Sequence, residues 1–525
     1  MTMAPEDALR DDAVRADARP VPAWDTGRPM FEPNETLHVG VIDVGSNSVR
    51  FVVFDGAARS PAYFYNEKIM CALGAGLSDT GRLNPKGRER ALDALCRFAA
   101  LARGMGLRSM MAVATAAVRE AEDGPAFVQE VERRTGLRLE VIPGDEEARL
   151  SAQGVTLGWP GAYGLVCDIG GSSMELADLN DGRVGRRVTS PLGGLKLQEF
   201  KGGPKALQKH IAEVIDRLHQ EMDRETGQRL FLVGGSWRAI ARIDMDRRAW
   251  PMTVLHEYRM TPAAVAATRA HMAGQDLMAM RGRLGISEDR MVLVPYAVQV
   301  LDELVRVFKP KDIAISSYGI REGMLWERMP PELRERDPLL EACRFQERRD
   351  ARLPGFGDTL FKFILPLFPE AGWQRKRIIE AACLLHDVNW RAHPDYRVET
   401  CVDAATRANL GGIKHEERVY LGMALMYRYS SRREGTKFDT LFKLLSEEEA
   451  REAEVLGRAM RLGAMLWLGA HDAPGAFRWR PDRKSLTLSV EARARPLFGE
   501  VAQARLKALG QAMGAEARVE FADQA

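Results

Sequence analysis

Val39-Gly-Val-Ile-Asp-Val-Gly-Ser-Asn-Ser-Val-Arg-Phe-Val-Val-Phe-Asp55 reads as an apolar strand, a short Gly-Ser-Asn-Ser turn and a second apolar strand. Asp43 stands where the first strand ends. Backbone N–H groups and the side chains of Ser46, Asn47 and Ser48 converge in such a turn and make an anion nest. The nearby carboxylate would repel a phosphate unless a cation lay between them, so Asp43 implies a metal role with Mg²⁺, or Mn²⁺. A plain β-hairpin with small turn residues would carry the same letters.

A near copy comes 125 positions later, as Leu165-Val-Cys-Asp-Ile-Gly-Gly-Ser-Ser-Met-Glu-Leu-Ala177. Asp168 repeats the carboxylate, and Gly170, Gly171, Ser172 and Ser173 repeat the turn. Two strand–Asp–Gly–Ser–strand units in one chain favour phosphate binding over two plain hairpins. Glu175 follows the second turn on a strand, from which it can point back to the phosphate site. A weaker third turn, Gly234-Gly-Ser236, adds Gly235 and Ser236, although strand-to-helix glycine turns are common. Arg119 is either a bidentate phosphate donor or a surface arginine. Glu146 and Glu147 open a helix, where the helix dipole favours acids anyway. The residues alone promote neither.

Outward from these turns, Tyr63–Cys71 reads as a third strand and 86–103 as a helix with Leu92, Leu95, Ala99 and Ala102 on one face. Met110–Ala114 is a short strand, and Pro125 opens a helix that ends before Gly136. Leu139–Ile142 is another strand, and a helix follows Pro143 with Asp145 as its expected cap. The second half repeats the order: strands 164–169 and 173–178, an Asp181-Gly182 hairpin signal, strand 184–190 and helix 204–225. Strand 230–233, helices 237–243 and 291–308, strand 313–316 and a last helix near 317–323 complete it. The fold class is therefore α/β, with two similar units around a cleft. Pro330-Pro331 marks a boundary. From about 338 to 470 the pattern is nearly all helical, and the tail adds strand 485–490, helix 497–513 and strand 518–521. The expected divisions are a disordered leader 1–35, α/β units 36–155 and 156–330, a helical domain 331–470 and a small α+β appendage 471–525.

The chain has 525 residues, 46% hydrophobic and 28% charged, which is ordinary for a soluble protein of about two to four domains. A formal net charge of +2 argues against a general nucleic-acid binder. No apolar run reaches the roughly 18 residues of a membrane span, and residues 1–35 carry no apolar signal core. Six scattered cysteines without a CxxC pair suit cytoplasmic thiols.

The ordered set of IDVGSNSVR at 42–50, ATAAVRE at 114–120, GDEEARLSAQGV at 144–155, CDIGGSSMEL at 167–176, LVGGSWRAIARI at 232–243 and SSYGIREGML at 316–325 resembles the exopolyphosphatase and guanosine pentaphosphate phosphatase family. That family lies within the actin, sugar kinase and Hsp70 superfamily, and the resemblance runs from about 38 to 328. It implies two actin- or ribonuclease H-like units. It makes Glu147 the catalytic carboxylate and Glu175 its assistant and a further metal ligand beside Asp43 and Asp168. It places Asp168 on the cation and phosphate carboxylate and Arg119 on a phosphate-facing arginine. One departure is Ser172, where the family often has glycine. Long members resemble this chain in carrying a degenerate HD-like helical domain, here around His386-Asp387, and family members are often dimers through that half. The implied reaction is Mg²⁺-dependent release of terminal orthophosphate from inorganic polyphosphate.

Competing functions are a guanosine pentaphosphate 5′-phosphatase using the same site, a non-catalytic polyphosphate- or alarmone-binding regulator, and a sugar or acetate kinase. A nucleotide needs a wall for its base, and Trp237 is the only hint of one. The pair Glu147 and Glu175 argues against a mere regulator. In the helical half, Arg375-Lys-Arg377, Arg428, Arg432-Arg433 and Lys437 could line a track for a long polyanion. Residues 337–470 hold 21 basic and 20 acidic side chains, so a track must come from arrangement rather than net charge.

Overall fold

The computed structural model describes residues 38–55, 59–223, 227–431, 436–468 and 472–522. The expected leader 1–35 and Arg432-Arg433 lie outside them. Two sheets dominate the first half. Strands β1 (Val39–Val44), β2 (Ser48–Phe54), β3 (Tyr63–Met70), β4 (Ser109–Ala114) and β5 (Glu140–Val141) form the first, in the order β3-β2-β1-β4-β5. The second holds β6 (Gly164–Ile169), β7 (Met174–Asn180), β8 (Arg183–Ser190), β9 (Arg229–Val233), β10 (Arg259–Met260) and β11 (Ile313–Ser316), in the order β10-β11-β9-β6-β7-β8. Each sheet pairs its first two strands antiparallel and adds a parallel strand on the other side of the first.

β1 and β2 form a near-continuous apolar run because both faces are covered. Ile42, Val44, Val49, Phe51 and Val53 pack against Leu92, Leu95 and Phe98 of the helix Pro85–Gly104. Val39, Val41, Val52 and Phe54 pack on the opposite face against Leu150, Leu157 and Leu325. Full burial of such a side chain stabilises the fold by roughly 1.5–3 kcal/mol.

The helix Gly144–Gly158 lies between the sheets. Leu150 and Leu157 belong to the core beneath the first sheet, and Ala148, Ala152 and Val155 to the core beneath the second. It crosses the helix Ile320–Arg328 at two glycines. A Cβ on Gly154 would lie 2.1 Å from the Gly319 carbonyl oxygen, and one on Gly323 would lie 1.8 Å from the Leu150 carbonyl oxygen.

Several sequence expectations change. Asp145 is not a cap: Pro143 occupies that position and the helix N-terminus has no side-chain hydrogen bond. The strand expected at 139–142 shrinks to Glu140–Val141, because β5 is an edge that pairs only with Val113 and Ala114. The Asp181-Gly182 hairpin forms, with φ of 51° and 73°, the left-handed pair that a tight two-residue loop requires. The helices Pro262–Ala273 and Leu277–Leu284 escaped the periodicity reading, although Thr261 and Asp276 cap them in the usual way.

The described residues between 331 and 467 are mainly helical, and the tail adds a third sheet of β12 (Gly475–Arg480), β13 (Ser485–Val490) and β14 (Glu516–Phe521) under the helix Glu500–Ala512. β12 was not expected, and the last helix starts three residues late, after a 3₁₀ stretch holding Pro496. The helical half and the tail share one core, in which Phe477, Leu486 and Leu488 join Phe363, Leu462 and Trp467. No described helix is long and apolar enough to cross a membrane.

Gly154→Ala tests the helix crossing. Helix propensity alone would favour alanine by about 1 kcal/mol. The clash with the Gly319 backbone is expected to outweigh that by about 1–3 kcal/mol, lowering the thermal unfolding midpoint. An unchanged or raised midpoint would remove the close crossing.

Candidate active site

The two phosphate-type turns face each other. In the first, the Gly45 N–H donates to the Ser48 carbonyl at 3.0 Å; in the second, the Gly170 N–H donates to the Ser173 carbonyl at 2.9 Å. Their strands have the same register: Asp43 lies opposite Arg50, and Asp168 opposite Glu175. Arg50 is thus the positional counterpart of Glu175, seven residues after its aspartate. The Ser172 hydroxyl donates to Ser46 Oγ at 2.8 Å, so the turns touch directly.

Between them is a cavity of about 190 Å³. Asp43, Ser46, Asn47, Ser48, Glu147, Asp168, Gly170, Gly171, Ser173, Gly235 and Ser236 all line it. Gly234, at φ 120°, turns the chain so that the helix Gly235–Arg247 starts at the cavity with no side-chain cap. Its free N–H groups suit an anion.

Three expected residues stand back from the lining. Ser172 is buried and spends its hydroxyl on Ser46. Arg119 donates to the Ile142 carbonyl at 2.7 Å and to Glu147 Oε2 at 3.4 Å, so it braces the carboxylate. Glu175 is 1% exposed. Its Oε1 accepts from the Thr189 hydroxyl at 3.0 Å, and its Oε2 has no hydrogen-bond partner among the described residues.

The carboxylates disturb one another. Burial first, then Asp168, pushes Glu147 up to about 8, with Arg119 opposing. Burial, Glu147 and Asp168 push Glu175 far above the usual carboxylate range. Burial raises Asp168 despite a hydrogen bond from the Ser151 hydroxyl, and raises Asp43 despite Arg321 and Arg50.

Sequence reasoning gave no role to five cations on the lining: Arg50, Lys68, Arg238, Arg290 and Arg321. They crowd one another. Burial, then Arg290, Arg50, Arg238 and Arg321, lower Lys68 to about 8. Burial, then Arg290 and Arg321, lower Arg238 to about 10. Arg321 is buried, and its Nε and Nη1 find no acceptor among the described residues. A Cβ on Gly235 would sit 1.8 Å from Arg290 Nη1, so only glycine lets that guanidinium close over the helix start. Arg50, Arg238 and Arg321 stood inside quoted motifs, and Arg50 was legible from its register opposite Asp43. Lys68 and Arg290 gave no local signal, since long-range packing alone brings them in.

Trp237 is fully buried and offers no base wall, and no aromatic side chain is on the described lining. Several cations of the track expected in the helical half are engaged by neighbours. Arg375 pairs with Glu449 and Glu452, Arg377 with Asp337, and Lys437 with Glu399, while Arg428 lies against Tyr429. At His386-Asp387 a bidentate Arg352 takes the aspartate, and His386 Nδ1 lies 2.7 Å from the Cys383 carbonyl oxygen. No group of three or more potential metal ligands occurs among the described residues.

With this geometry in view, comparisons with known proteins are informative. The model of the Ppx/GppA phosphatase family matches residues 52–332, and one described as exopolyphosphatase, C-terminal, matches 358–521. Exopolyphosphatase 1 of Mycobacterium tuberculosis is 26% identical over 309 residues, 56% of this chain and 89% of its own length. Exopolyphosphatase 1 of Mycobacterium leprae is likewise 26% identical, over 91% of its length. An exopolyphosphatase crystal structure from Cytophaga hutchinsonii shares the fold at a TM-score of 0.51, with 21% identity over 56% of this chain and 99% of that one.

The raised Glu147 carboxyl makes a stability prediction. The folded state holds a proton that the unfolded state loses from about pH 4.5, so stability falls as pH rises from there through about 8. Glu147→Gln stays neutral throughout. Its advantage over the parent in unfolding free energy is expected to be about 1–3 kcal/mol larger at pH 8.5 than at pH 5. An advantage that does not change with pH would contradict the buried, proton-holding carboxyl.

Proposed function

From a chain that belongs to the Ppx/GppA phosphatase family, we propose an exopolyphosphatase: an enzyme that hydrolyses terminal orthophosphate from inorganic polyphosphate. One observation carries this reading. The cavity offers five crowded cations, two phosphate-type turns and a helix N-terminus, with no aromatic surface for a base. The exopolyphosphatase names of the curated relatives and of the C-terminal model agree with it. Guanosine pentaphosphate would use the same turns but would leave its base without a wall.

Phosphoryl transfer needs positioning and charge neutralisation more than covalent help. In the proposed reaction, Ser46, Asn47, Ser48, Gly170, Gly171, Ser173, Gly235 and Ser236 hold the terminal phosphoryl group. Arg50, Lys68, Arg238, Arg290 and Arg321 neutralise it and the chain behind it. Glu147 takes a proton from a water as that oxygen bonds to the terminal phosphorus. The bridging P–O bond breaks, and the electron pair leaves on the shortened polyphosphate. A carboxyl raised towards neutral pH is a better base than an ordinary one. Arg119 orients it. Glu175, buried behind and electrostatically linked to it, keeps a proton and so spares the site a further negative charge.

A divalent cation fits this donor set in one form. Asp43 and Asp168 are half-buried carboxylates beside the turns, and Asp43 adds to the raised proton affinity of Asp168. Mg²⁺ binds one or two carboxylates together with phosphate oxygens and waters. Asp43 and Asp168 would hold it, with Mn²⁺ as a substitute, whereas Glu175 is off the cavity lining and keeps one oxygen on the Thr189 hydroxyl. Bound there, the ion would neutralise phosphate oxygens. A homodimer belongs to the same reading, and exposed Met465, Leu468, Leu497 and Val501 are apolar surface that a second copy would cover.

Phosphate release from long polyphosphate and from guanosine pentaphosphate, measured under identical Mg²⁺, tests the substrate. Higher kcat/KM on polyphosphate is expected, and equal or greater efficiency on the nucleotide would overturn it. Glu147→Gln is expected to lower kcat by roughly 10²–10⁴ with KM little changed. Near-normal turnover would remove Glu147 from the base role.

A further inference from the structure

The loop Ser317–Gly319 joins β11 to the helix Ile320–Arg328, and the two together place Ser317, Gly319 and Arg321 on the cavity. It is held from outside the cavity. The Ser317 N–H donates to His256 Nδ1 at 3.3 Å. Nδ1 must therefore be bare, and the ring proton sits on Nε2, which is buried with no partner among the described residues. Leaving that N–H orphaned costs stability. Neither a core filler nor a ring chosen for Nε2 would explain the arrangement.

The ring is tightly housed. Trp159 lies 4.2 Å from it and Tyr318 4.8 Å, centroid to centroid. A Cβ on Gly158 would come within 2.7 Å of His256 Cε1. The following residue, Glu257, has φ +65°, a conformation that costs about 1–3 kcal/mol for a non-glycine residue. Its N–H donates to the Ile315 carbonyl at 3.0 Å, and Arg259 holds its carboxylate. This strained turn aims the His256 ring at the loop and its carbonyl the other way.

That carbonyl meets the helical half. His415, at the start of the helix His415–Tyr429, donates from Nε2 to the His256 oxygen at 3.1 Å. Its Nδ1 accepts from the Trp250 indole at 3.0 Å, which fixes the tautomer. A second tie runs alongside: the Tyr318 hydroxyl donates to Asn409 Oδ1 at 3.4 Å, and Asn409 Nδ2 donates to the Pro61 carbonyl at 3.1 Å.

We propose that His256 is a positioning residue for the cavity, holding Ser317 and through it the Arg321 loop in register, with His415 of the helical half holding His256 in turn. The helical half would then contribute to the first half's chemistry without touching substrate. The kinetic part of this inference rests on the polyphosphate reaction proposed above.

Full-length His256→Asn keeps an acceptor at the Nδ1 position, whereas His256→Gln moves it outward. Amide hydrogen exchange of the segment spanning Ser317–Arg321 and the kcat and KM for polyphosphate are the readouts. His256→Gln is expected to exchange faster there and to lose about tenfold in kcat/KM, mostly through KM. His256→Asn is expected to recover most of both. A merely structural defect would lower kcat by reducing the active fraction and leave KM alone. Equal behaviour of the two variants, or parent-like exchange in His256→Gln, would overturn the proposal. If His256→Gln does not fold, His415→Gln, which keeps the Nε2-type donor, is compared with His415→Leu. Only the latter should loosen the loop, and equal exchange would again overturn the proposal. A parent chain that releases no phosphate from polyphosphate would sink the proposed reaction, and exchange alone would then decide the positioning role.

Discussion

A helix buried on both sides against two different sheets has little freedom in where its first turn points. The helix Gly144–Gly158 is in that position, with leucines towards one sheet and alanines and a valine towards the other. Glycine contacts with the helix Ile320–Arg328 lock its axis. Glu147, on its first turn, is therefore delivered to the space between two phosphate-type turns that belong to different sheets. The turns shape that space, and the helix supplies the carboxyl that would act in it.

Charge follows from the same packing. Two sheets brought together at their turns half-bury Asp43 and Asp168, and desolvation lifts both carboxyls. Cations line the cavity beside them: Arg50 from the first hairpin, Lys68 from β3, Arg238 from the helix after β9, Arg290 from the following helical region and Arg321 from the helix Ile320–Arg328. Desolvation first, and then their mutual repulsion, leaves Lys68 and Arg238 less willing to hold their protons. A polyanion relieves this stress, and a neutral ligand would not.

Much of this was legible in the chain. The paired Asp–Gly–Ser turns and the shared strand order follow from local patterns. What local pattern could not show was direction. Glu175 reads as the assistant of Glu147, and although it shares a sheet face with Asp168 it stands off the cavity lining with Thr189 as its partner. Ser172 reads as a phosphate ligand and instead joins the turns through Ser46. The arginines of the helical half look like a track until their acidic partners, up to 77 residues away in sequence, are placed beside them. Lys68 and Arg290 carry no motif, and only the meeting of distant elements gives them a role.

The central claim is that the cavity is a cationic site held under strain until an anion enters. Sulfate can stand in for a terminal phosphoryl group, and it has no proton that titrates near pH 8. An anion raises the proton affinity of both Lys68 and Glu147, so both contributions have the same sign. Sulfate binding at pH 8, followed by calorimetry without divalent cations in two buffers of different ionisation enthalpy, should show net proton uptake by the protein. No uptake, or proton release, would contradict the account.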